Sequence, residues 1–85
     1  MNTTTKKTIR ENLIADKIVF QKDGNLKVKE FYFYTHGRTT ETVERYIKNQ
    51  LEKLGLKSKT IEKSDYHNSW PKDSWFEVIL KVEDK

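Results

Sequence analysis

The chain contains no cysteine. Disulfides, thiolate metal sites and a thiol nucleophile are therefore excluded, and the composition fits a reducing compartment, so a soluble cytoplasmic protein is expected. Large apolar side chains are scarce as well. They make up 34% of the 85 residues, below the share of an ordinary globular chain. Such a chain supports one small core, so a single domain is expected over residues 8–85, with 1–7 ("MNTTTKK") as a flexible N-terminus. No apolar run approaches the roughly 18 residues that cross a bilayer, and no signal-peptide core opens the chain, so no membrane association is expected. Glycine (three) and proline (one) are few enough for each to mark a particular turn.

Recognisable catalytic chemistry is missing too. The two histidines, His36 and His67, stand far apart, and His67 with the nearby Asp65 does not make a ligand set. There is no paired-acid motif, no nucleophile elbow and no serine with an evident base. The expectation is a non-catalytic protein without cofactor or metal.

What the sequence does have is charge and local pattern. The formal net charge is +4, and Met1 to Arg38 carries all of the excess, with eight basic residues against four acidic; Thr39 to Lys85 balances nine against nine. Basic charge concentrated in one part of a chain favours an anionic partner.

Thr8 and Glu11 have the spacing of a capping box, which predicts a short helix with Ile9, Leu13 and Ile14 as its apolar stripe. "KIVFQK" reads as a strand, Asp23-Gly24-Asn25 as a hairpin turn, and Leu26 to Thr35 as a second strand ending at Gly37. Val43, Ile47, Leu51 and Leu54 recur at helical spacing between a Thr39 or Thr40 cap and Gly55, which predicts the main helix over about Thr40 to Leu54. "LKSKTIEK" is a thinner third strand, "SDYHNSWPKDS" a loop, and "WFEVILKVED" a fourth strand in which Phe76, Val78, Leu80 and Val82 alternate onto one face.

The expected fold is α+β: a four-stranded antiparallel sheet made of two hairpins (β-β-α-β-β), one main helix packed on it, and a short N-terminal helix. Its core face would hold Leu26, Val28, Tyr32 and Tyr34 with the apolar line of the fourth strand. Glu30 interrupts that face, and a bulge there would swap the register.

Alternation then assigns Lys27, Lys29, Phe31 and Phe33 to the opposite face, with Trp75, Glu77, Ile79 and Lys81 from the fourth strand and either Lys57 and Lys59 or Ile61 from the third. Three outcomes are open for this face, one of them a protein partner. The N-terminal helix, or a second copy in a homodimer, covers Phe31, Phe33 and Ile79, as in sheets apolar on both sides. Otherwise the aromatics stack on unpaired bases while the ammonium groups meet phosphates. Arg38 in "THGRTTE", ahead of a helix N-terminus, would add an anion contact, although the loop lacks the glycines of a phosphate cradle.

Two functions follow as expectations. The first is a small non-catalytic protein binding single-stranded nucleic acid or RNA, or a nucleic-acid-handling complex, through Lys27, Lys29, Phe31, Phe33, Arg38 and Lys81. The second is a protein-binding module or inhibitor of the kind phages and mobile elements encode, working through Tyr66, Trp70 and Trp75, since Trp and Tyr dominate interface energetics.

Overall fold

The computed structural model describes residues 1–31, 39–66 and 74–84. Among these described residues two helices and four strands follow in the order α1 (Thr3–Asn12), β1 (Lys17–Phe20), β2 (Leu26–Phe31), α2 (Thr40–Lys53), β3 (Leu56–Tyr66) and β4 (Trp75–Asp84). The strands form one sheet in the order β1-β2-β4-β3, and every neighbouring pair is antiparallel. The fold is α+β, as expected, with the two hairpins joined edge to edge through β2 and β4.

The N-terminal segment departs from expectation. Residues 1–7 are not a frayed tail: α1 begins at Thr3, and the Asn2 side chain accepts the Thr5 N–H at 2.7 Å. Asparagine caps better than threonine, and the earlier start puts Thr5, Ile9 and Leu13 in one i, i+4, i+8 stripe, all three buried. Thr8 is therefore mid-helix, its hydroxyl donating back to the Thr4 carbonyl at 3.0 Å. Ile14 falls outside the helix and is 70% exposed, so it is not part of the stripe. Its backbone is instead held by the Gln50 side-chain amide of α2, which accepts the Ile14 N–H at 2.7 Å and donates to the Ile14 carbonyl at 3.0 Å.

The first hairpin turns where expected. Gly24 has φ 90°, a left-handed conformation that glycine adopts without strain, and the Asp23 carboxylate accepts the Asn25 N–H. Thr39 caps α2 reciprocally with Thr42, and Gly55 (φ 79°) ends it. β3 runs three residues further than expected, to Tyr66. The register shift lies in β3, between Thr60 and Glu62, and not at Glu30, where β2 pairs straight through with Glu30 opposite Phe76. Both ends of the sheet order are edge strands. The longer, β3, carries this shift and Lys57, Lys59 and Lys63, features that discourage pairing with a further strand.

One core holds the molecule together. Leu26 and Val28 of β2, Leu56 of β3, and Phe76, Val78, Leu80 and Val82 of β4 meet Val43, Ile47 and Leu51 of α2 together with Ile9 and Leu13. Leu26 pairs with Leu80 and Val28 with Val78, so these residues share one face. The helix α2 packs over β3 and β4, leaving the β1–β2 half of the same face for α1. There Lys6 and Arg10 lie 5.9 and 5.1 Å from the centre of the Phe20 ring, and the Thr5 hydroxyl is 3.1 Å from Asp84 at the end of β4. Both helices therefore sit on the same side. This overturns the expectation that α1 covers Phe31 and Ile79. The reason is contiguity: Ile18, Phe20, Leu26, Val28, Val78 and Leu80 form one apolar block across β1, β2 and β4 on the core face, whereas the opposite face alternates its apolar residues with charged ones. Tyr32, Phe33 and Tyr34 lie outside the described residues.

Candidate functional site

The face away from both helices can be read row by row from the register. At one end Phe31, Trp75 and Tyr66 lie abreast on β2, β4 and β3. The next row is Lys17, Lys29, Glu77 and Ser64, and the one after it Val19, Lys27, Ile79 and Glu62. Beyond these, Lys81 faces Lys59 and Glu83 faces Lys57.

Among the described sheet residues, this face carries six lysines (17, 27, 29, 57, 59, 81) against three glutamates (62, 77, 83). Its charge is thus +3 of the chain's +4. That net charge comes from Lys17, Lys27 and Lys29 of the first half of the chain, in keeping with the count along the sequence. Lys57, Lys59 and Lys81 come from the second half and are matched in number on the same face by Glu62, Glu77 and Glu83.

Glu77 sits in the middle of the face and is only 7% exposed. Its carboxylate is 3.4 Å from the Lys27 ammonium, 3.9 Å from that of Lys29, and accepts the Trp75 indole N–H at 3.4 Å. A buried carboxylate needs such partners, because the lost hydration must be replaced by charge and hydrogen bonds. Two lysines expected to meet a partner are therefore half neutralised from within.

Trp75 is held as firmly. Tyr66 stacks on it with ring centroids 4.8 Å apart and planes 21° apart, and the Lys29 ammonium is 4.9 Å from the Trp75 ring centre. Trp75 and Tyr66, expected as anchors in or beside a loop, are strand residues on the same face as Phe31, Lys29 and Lys81. Trp75 and Phe31 are half-buried, while Tyr66 is 38% exposed.

Of the residues predicted for nucleic-acid binding, the structure brings Lys27, Lys29, Phe31 and Lys81 onto one surface. Phe33 and Arg38, like Trp70, His36 and His67, lie outside the described residues. Lys57 and Lys59, left open against Ile61 by the sequence, take the line of Lys81. Ile61 is the extra residue at the register shift and is 53% exposed. The part of Tyr66 on this face was not foreseen. The signal was the Glu62, Ser64, Tyr66 alternation, obscured by turn-forming residues that shortened the predicted strand.

A groove of 330 Å³ is lined by Lys57, Ser58, Lys59, Lys81 and Glu83, at the end of this face farthest from the aromatic row. Among the described residues no three His, Cys, Asp or Glu side chains converge as a metal site. No described helix is long and apolar enough to cross a membrane.

No family model matches the chain, and comparison with curated proteins and with solved structures finds none that is similar.

Proposed function

We propose that this is a small, non-catalytic binding protein of the cytoplasm that holds single-stranded nucleic acid, RNA or DNA, on the sheet face opposite its helices. One observation carries the reading: the face left bare by both helices concentrates the positive charge of the chain and closes at one end with the Phe31–Trp75–Tyr66 row. Ammonium groups neutralise phosphates without regard to sequence, and aromatic faces accept any base. The Trp75–Tyr66 stack and the Lys29 contact pre-form the aromatic end, so little side-chain freedom is lost on binding there.

A second reading has its own support. Ile61 and Tyr66 are exposed large side chains on β3, which suits a protein partner or a second copy of the chain.

Titration of labelled oligo-dT and oligo-U by fluorescence anisotropy over a salt series separates the two. Nucleic-acid binding lowers log K linearly with log salt, by about 0.7 per phosphate neutralised on a single strand. Lys29→Ala and Lys81→Ala each flatten that slope. Absence of binding at low salt, or a flat response, refutes the nucleic-acid reading and leaves the protein-partner reading in possession of the face.

A further inference from the structure

Lys59 and Lys81 lie directly opposite each other on neighbouring antiparallel strands, with Lys57 two residues further along β3. Directly opposed residues hold their Cβ atoms about 5 Å apart, a position at which like charges repel. Lys81 is relieved in part by Glu83 at 3.5 Å. Lys57 and Lys59 form no ion pair with any described residue. The groove between them therefore keeps three ammonium groups against one carboxylate.

The middle of the face is different. There Lys27 and Lys29 already share the buried Glu77 carboxylate. A phosphate arriving at Lys27 or Lys29 competes with a built-in anion, whereas one arriving in the groove relieves a repulsion that the free protein carries. The groove is also concave, with 330 Å³ of space to take a phosphate and its sugar.

We propose that the Lys57–Lys59–Lys81 groove is the principal phosphate subsite of this face, and that a bound strand runs lengthwise along β4 from the groove to the Phe31–Trp75–Tyr66 row. The inference rests on the nucleic-acid reading above and adds to it a direction and a minimum length. Trp75 and Lys81 are six residues apart on β4, which at the rise of an extended strand is about 20 Å. A ligand must cover that distance to touch both ends. An oligonucleotide of two or three residues occupies one end only, and a longer one gains the other.

The test is an oligo-dT length series, from three to fifteen nucleotides, measured against wild type, the double variant Lys59→Ala/Lys81→Ala, and Tyr66→Ala at two salt concentrations. Thermal unfolding of each variant confirms that it is folded. In wild type, affinity should rise in a step once the oligonucleotide can reach both ends. The double variant should lose that step and lower the salt slope for the longest oligonucleotide by about 1.4, two phosphate contacts at 0.7 each. Tyr66→Ala should weaken long oligonucleotides while keeping the wild-type salt slope. A double variant that retains the wild-type step and slope overturns the groove as a subsite while leaving nucleic-acid binding to the face intact. Failure of wild type to bind any length overturns both.

Discussion

Trp75 and Tyr66 stack face to face across β4 and β3, 4.8 Å between ring centroids, at the row where both strands meet the segment outside the described residues. The contact fixes the last register of the β3–β4 hairpin and shapes the aromatic end of the bare face.

Removing the Tyr66 ring should expose Trp75 without unfolding the protein. In a Trp70→Phe background Trp75 is the sole tryptophan, since the chain has two. Tyr66→Ala in that background should shift emission to the red and lower stability by roughly 1 kcal/mol, the usual worth of an aromatic pair. An unchanged spectrum means that the stack does not shield Trp75.

Glu77→Gln should move stability and binding in opposite directions. The amide oxygen can still accept the Trp75 indole N–H, but Lys27 and Lys29 lose their shared countercharge. Both lysine side chains keep 22–27% exposure. Solvent therefore softens the loss to about 1 kcal/mol, less than a fully buried pair would show. In a domain of this size that is about 4–8 °C in Tm. Oligo-dT affinity at low salt should rise, because the face gains a net positive charge. Thermal unfolding and anisotropy on the same preparation check both signs.

Acid should remove a contribution from Glu44. The Glu44 carboxyl is held below its ordinary value of 4.5, chiefly by the Thr60 hydroxyl; partial burial opposes this, and Lys63 and Lys48 add to the lowering. The Thr60 oxygen is buried without a partner of full hydrogen-bond geometry, yet it lies near enough to favour the charged carboxylate. Lys63 bridges Glu44 at 3.3 Å and Glu41 at 3.8 Å, tying edge strand β3 to the first turns of α2. A folded group that binds its proton less readily than the unfolded one stabilises the fold above the unfolded value and stops doing so as pH falls through the folded value. The Tm difference between wild type and Glu44→Gln should therefore be constant near neutral pH, shrink below about 4.5, and vanish in stronger acid. A difference that persists at pH 2 assigns the effect to packing instead.

The first seven residues should matter to stability. Deleting residues 1–7 removes the Asn2 cap, half of α1 and the Thr5 contact with Asp84. The urea midpoint should drop markedly, and Ile9→Ala alone should cost about 2–5 kcal/mol, as for a fully buried isoleucine. A midpoint unchanged by the deletion would indicate a frayed tail.

Much of the architecture is written locally. Gly24 and Gly55 sit where a left-handed backbone is needed, Thr39 opens α2, and the Phe76–Val82 alternation marks the core side of β4. Alternation within each strand, with the apolar lines of β2 and β4 turned to the core, also groups Lys27, Lys29, Phe31, Trp75 and Lys81 on a common face, and β2 carries no bulge at Glu30 to swap it. The start of α1 was less legible, since "NTTT" reads as polar and aperiodic until Thr5 is seen to continue the Ile9 and Leu13 stripe.

Tertiary structure decided the rest. Periodicity states which side chains share a face, not what lies on it, so only packing could send α1 to the core side and leave the face of Phe31 and the lysines uncovered by either described helix. Cross-strand neighbours depend on register. The confrontation of Lys59 with Lys81, the sharing of Glu77 by Lys27 and Lys29, and the alignment of Tyr66 with Trp75 arise only when distant segments pair, with β3 shifted by one residue at Ile61. Sequence determined the composition of the surface. The pairing of the strands determined which of its charges are already answered and which are left for a partner.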